Sequence, residues 1–91
     1  MRPLQPNDPL ELALRALAVT LSDARRAQRF IELTGIGTDE LRARAGEPGL
    51  LAALIRFLEA HEPDLIAVSD ELGVGPDLLV QARRELEEGK G

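Results

Sequence analysis

Few residues in this chain have the types and spacing to do chemistry. The phrase Gly–Ile/Val–Gly–x–Asp–x–Leu occurs twice, as GIGTDEL (Gly35–Leu41) and GVGPDLL (Gly73–Leu79). A Gly-x-Gly ahead of a helix can cradle a phosphate on free backbone N–H groups. That use needs a preceding strand and a third glycine, or the lysine of a P-loop. Both are missing, and Asp39 and Asp77 put negative charge where a phosphate would sit. The lone histidine, His61, has Glu59 and Glu62 beside it. A metal centre takes several ligands, and both a helical Glu-x-x-His and a second histidine are lacking. His61 therefore reads as a surface residue at the end of a helix, where a cation is favoured.

The hydroxyl side chains are Thr20, Ser22, Thr34, Thr38 and Ser69, and none stands in a Gly-x-Ser-x-Gly context. Asp70 and Glu71 fall on different faces of one helix, and Glu87 and Glu88 lie close to the end of the chain. No triad, paired-carboxylate site or cofactor box stands out. The expectation is no catalytic residue, no cofactor, no metal and no enzyme. The chain has no cysteine, which removes disulfides and thiolate chemistry and suits a reducing cytosol. Phe30 and Phe57 are the only aromatic residues, so stacking platforms for bases or sugars are lacking.

The elements that would position these residues are helical. No segment alternates with period two, and apolar residues recur at steps of three and four. Met1–Asn7 carries two prolines and reads as a flexible arm. Asp8 is the natural N-cap of a first helix opening at Pro9, with Leu10, Leu14, Leu17 and Leu21 as its apolar stripe. Ser22 caps a second helix running to Thr34, with Ala27, Phe30, Ile31 and Thr34 on one face, Leu33 beside them, and Arg25, Arg26 and Arg29 towards the other. Thr38 caps a short third helix through DELRARA, which Gly46 closes.

A fourth helix opens at Pro48, and Leu50, Leu51, Leu54, Ile55, Phe57 and Leu58 cover nearly its whole circumference. A helix apolar almost all round is enclosed by neighbours, so this one is expected at the centre. A fifth helix opens at Pro63 with Leu65, Val68 and Leu72 as its stripe, and a sixth at Pro76 with Leu79, Ala82 and Leu86. The expected fold is all-α: one compact bundle of about six short helices over residues 8–88, with residues 89–91 a flexible tail.

In this frame each residue of the repeated phrase has a structural task. Gly35 and Gly73 fall where helices end in a left-handed residue. Ile36 and Val74 fold back on the helix just left, Asp39 and Asp77 face the positive end of the next helix, and Leu41 and Leu79 return to the core. The phrase thus marks two helix-Gly-turn-helix units. Both convergence on good turn chemistry and an internal duplication of a helix pair account for the repeat; the halves match weakly outside it.

A DNA-binding reading also fits the spacing. In AVSDELGVGPDLLVQAR, Val68, Leu72, Val74, Leu79 and Ala82 occupy the buried positions of a helix-turn-helix. The reading helix should then offer Arg, Lys, Asn or Gln at its N-terminal end. It offers Gly75, Pro76, Asp77 and Leu78. The net charge is −5, and after Ala45 there are four basic residues against ten acidic ones. Phosphate contacts dominate DNA affinity, so the electrostatics have the wrong sign and nucleic acid is not expected as a partner.

No run approaches the roughly 18 uncharged apolar residues of a membrane span. Asp8, Glu11 and Arg15 interrupt the faint signal-peptide character of the N-terminus, so a cytoplasmic location is expected.

The stretch RFIELTGIGTDELRARAGEPGLLAALIRFLEAHEPDLIAVSDELGVGPDLLVQARREL (Arg29–Leu86) resembles the bacterial domain of unknown function 3572 family. Phe30, Leu33, Thr34, Gly35, Leu41, Arg42, Leu51, Phe57, Leu58, Glu62, Gly73 and Pro76 fit the family's pattern. Thr38 stands where the pattern has proline. The resemblance implies an all-α fold in a small bacterial cytosolic protein and brings no catalytic residue with it. The functional expectation is a non-enzymatic protein–protein interaction module, monomeric or weakly dimeric, with an unknown protein as its partner. The alternative is a divergent helix-turn-helix regulator.

Overall fold

The computed structural model describes residues 8–89, and the expected arm over 1–7 and the end of the expected tail lie outside them. The described residues form six helices and no strand: α1 (Pro9–Leu21), α2 (Ala24–Thr34), α3 (Thr38–Ala43), α4 (Pro48–Glu59), α5 (Glu62–Leu72) and α6 (Pro76–Glu87). The helix starts follow local chemistry. Asp8 accepts hydrogen bonds from the N–H groups of Leu10 (3.1 Å) and Glu11 (3.3 Å), and Pro9 fills the first helical position, where a missing N–H costs nothing.

The central helix is α4, which packs against α1, α5 and α6. Leu50, Leu51, Ala52, Leu54, Ile55, Phe57 and Leu58 are all buried. The centre is shared with α1, which packs against α2, α4, α5 and α6. The inward face of α1 differs from the leucine stripe expected from the sequence. Leu12, Ala13, Ala16, Leu17 and Thr20 are buried, while Leu14 is 37% and Leu21 36% exposed. Counting leucines overlooked the alanines. A helix flanked on several sides turns its small residues to the closest neighbours, because only they let the backbones approach. Thr20 is no free nucleophile: its buried hydroxyl donates to the Ala16 carbonyl (2.7 Å).

Two expected caps shift by one residue. The N-cap of α2 is Asp23, not Ser22; its carboxylate accepts from the N–H groups of Arg25 (3.0 Å) and Arg26 (3.1 Å). Ser22 still belongs to the last turn of α1, and its hydroxyl donates back to the Val19 carbonyl (2.6 Å). The N-cap of α3 is Gly37, and Thr38 is the first helical residue. On α2 only Phe30 is fully buried; Thr34 is exposed and Leu33 is 75% exposed, so the expected face narrows to Phe30 with Ala27 and Ile31 half-buried beside it. Phe30 meets Phe57 of α4 edge to face, with ring centroids 5.3 Å apart, so the only two aromatic rings of the chain join α2 to the centre.

Candidate functional site

Three clusters of side chains could carry function. The first lies where the N-terminal turns of α2 and α5 meet. Asp64 is in the first turn of α5 and only 6% exposed. Its Oδ1 accepts from Arg26 Nε (3.1 Å), its Oδ2 accepts from an Arg29 guanidinium nitrogen, and His61 Nδ1 lies 3.0 Å from the same oxygen. Burial alone would raise the Asp64 pKa. The hydrogen bonds from Arg29, His61 and Arg26 outweigh that effect and hold the carboxyl below the ordinary value. The Arg29 guanidinium also rests over the Phe57 ring, 5.4 Å from its centroid. Asp64 is thus saturated with donors and works as a pin between α2 and α5.

His61 belongs to this pin. It is the N-cap residue of α5, not a residue at the end of α4. Glu59, its expected neighbour in a weak metal site, is held elsewhere: both its carboxylate oxygens accept from Arg83 on α6, at 2.5 and 3.2 Å. Among the described residues no three His, Asp or Glu side chains gather into a metal-binding group.

The second cluster extends this pair on the face shared by α4 and α6. Arg56 donates twice to Glu87, at 2.6 and 3.1 Å, and Arg83 donates to the same carboxylate at 2.8 Å. The bonds from Arg56 come first in lowering the Glu87 pKa, and those that Arg83 donates to Glu59 come first in raising its own. Arg83 is thus tied to two carboxylates, Glu59 and Glu87. Arg26 and Arg29, two members of the densest basic cluster in the chain, are likewise engaged by Asp64.

The third feature is an open apolar groove of about 430 Å³ between α1, α2 and α3. Leu14, Leu17, Ala18 and Leu21 form the α1 wall, Ala27 and Ile31 come from α2, and Thr38, Leu41 and Arg42 from α3, with Ala45 just beyond. The groove exists because α3 has six residues and buries only Leu41, too little to cover the α1–α2 edge. Arg42 is the only charged residue in the lining and makes no ion pair among the described residues. Its neighbour Arg44 is bound to Glu40 (3.2 Å) and Glu47 (2.9 Å).

Sequence reasoning missed this site because it assigned Leu14 and Leu21 to the core. One signal was available. The first helix carries Leu10, Leu12, Leu14, Leu17, Val19 and Leu21, more large apolar residues than one buried face accommodates.

A small all-α domain with a partly open apolar groove is the class that fold and site define. The chain belongs to the family described as "Protein of unknown function (DUF3572)", whose model matches residues 6–89. No curated protein and no solved structure matches it. Among the described residues no helix is long and apolar enough to cross a membrane.

Proposed function

We propose that this protein is a non-enzymatic interaction module of the cytoplasm that binds a partner protein through the α1–α2–α3 groove. The observation that carries the reading is the groove itself: two half-exposed leucines, Leu14 and Leu21, stand beside Ala18, Ala27 and Ile31 in a space large enough to receive side chains. A concave apolar lining with a charged residue at its edge suits a binding site, whereas single exposed leucines are ordinary. The alternative, DNA reading by α6, finds less support. The start of α6 exposes Gly75, Pro76 and Asp77, and three of the arginines that could meet phosphates are bound to carboxylates.

A photo-crosslinking amino acid at the exposed position Ala18 tests the reading in the native cell. A discrete protein adduct is expected there, none from the same group at the exposed position Gln81, and loss of the adduct when Ala27→Trp fills the groove. No adduct at Ala18, or the same adducts from both positions, would overturn it.

A further inference from the structure

We propose that the occupant of the groove is one amphipathic α-helix of a partner protein, carrying leucine-sized anchors two turns apart and a carboxylate that meets Arg42. This deepens the interaction reading above and rests on it. The shape argument starts from α1. Leu14, Ala18 and Leu21 form a row two turns long, about 10 Å at the rise of an α-helix. A docked helix presents anchors at i, i+3 or i+4, and i+7 over that same length. Ala18 on α1 and Ala27 on α2 are small, and the resulting space of about 430 Å³ holds a few side chains rather than a domain.

The charge argument starts from α3. Arg42 lines the groove with no acidic residue in the lining, and Thr38 stands one turn before it on the same face of the helix. A guanidinium beside a hydroxyl is suited to a carboxylate. Arg42 makes no ion pair among the described residues, Asp39 one turn before it included, and Glu40 and Glu47 are held by Arg44.

The described residues leave no second apolar helix face to fill it, and the composition of residues 1–7 does not match such an occupant. Residues 1–7 contain two prolines, one arginine and no acid. Among the described residues the exposed large apolar side chains outside α1 are Leu33 and Ile66, single residues on different helices.

The test uses the full chain and a displayed library of helical peptides. The peptides carry Leu, Ile or Met at i, i+4 and i+7, with all other positions randomised. Selection is expected to enrich Asp or Glu at one flanking position. A selected peptide should shift the amide resonances of Leu14, Leu21, Ile31 and Leu41. Arg42→Ala should weaken its binding roughly threefold and Arg42→Glu roughly tenfold, the scale of a partly exposed charge pair and its reversal. The Arg42→Glu protein should in turn enrich Lys or Arg at that flank.

Enrichment without acidic preference, shifts confined to other surfaces, or no binder from the library would overturn the proposal. So would sedimentation showing that the groove closes on a second copy of the chain. An Ala18 adduct in the cell combined with a failed library would retain the interaction reading and reject the helical acidic partner.

Discussion

Gly35 closes α2 with one backbone bond, from its own N–H to the Ile31 carbonyl (2.8 Å). Gly73 closes α5 with two: its N–H donates to Asp70 (3.1 Å) and the N–H of Val74 donates to Ser69 (3.0 Å). The first is the simple left-handed cap and the second the Schellman motif. Beyond the turns the two units diverge further. Twelve-residue α6 buries Leu79, Ala82 and Leu86 and packs on α1, α4 and α5, whereas six-residue α3 buries Leu41 alone. Similar turn chemistry therefore serves both a sealed helix pair and an open one. What separates them is the length of helix that follows. The third helix ends at Ala43 with Arg44 as its C-cap, before the Gly46 expected to close it, while LLVQARREL carries α6 across the centre.

Emptying one leucine site in each unit is the strongest way to break this comparison. Leu79→Ala is expected to lower stability by about 2–5 kcal/mol, the range for a fully packed leucine. Leu41→Ala should cost about half as much, because its site borders the groove and can collapse. The difference reads out as a larger drop in urea midpoint for Leu79→Ala at unchanged slope. Equal losses would mean that α3 is seated as firmly as α6.

The pin between the units comes next. Asp64→Asn removes the charge and keeps one acceptor oxygen, so one of Arg26 and Arg29 faces an amide NH2 in place of its acceptor, which should cost about 1–3 kcal/mol at neutral pH. The sign of its pH dependence follows from the shift. The folded Asp64 pKa lies below the ordinary value, so the unfolded chain takes up this proton first as pH falls. The contribution is complete above the unfolded pKa of about 4 and disappears as pH drops through the folded value. Acid titration of stability should thus be shallower for Asp64→Asn than for the parent. Identical profiles would show that the pin does not couple α2 to α5.

The turns give a smaller effect. Gly35 and Gly73 have φ of 72° and 75°, so alanine at either should cost about 1 kcal/mol. Gly73→Ala should be the worse of the two, since its cap holds two bonds. Gly37 and Gly75 have φ of −74° and −77° and should tolerate alanine better. A Cβ at Gly75 would meet only the end of the Asp77 side chain. Thermal midpoints across the four variants test this order.

The smallest stability change is expected in the groove. Leu14→Gln should shift stability by less than about 1 kcal/mol while weakening capture of the partner. A large loss of stability there would return Leu14 to the core.

The number of helices, and most of their ends, could be read from the chain because capping is local. Asp8, Gly35, Gly73 and the prolines at 9, 48 and 76 act on backbone groups within four residues of themselves. The central place of α4 was equally legible, since a helix apolar on every side has nowhere else to go. Which face of α1 turns inward was not. Leucines and alanines are both apolar, and only the distance to α4, α5 and α6 decides which of them faces the core. Nor could spacing show that Arg26 and Asp64, 38 residues apart, would meet, or that Arg42 would be left unpaired while Arg44 found two partners. Those outcomes depend on how helices distant in sequence are brought side by side. The groove depends on it too: a shortened α3 becomes an opening only once α1 and α2 lie beside it.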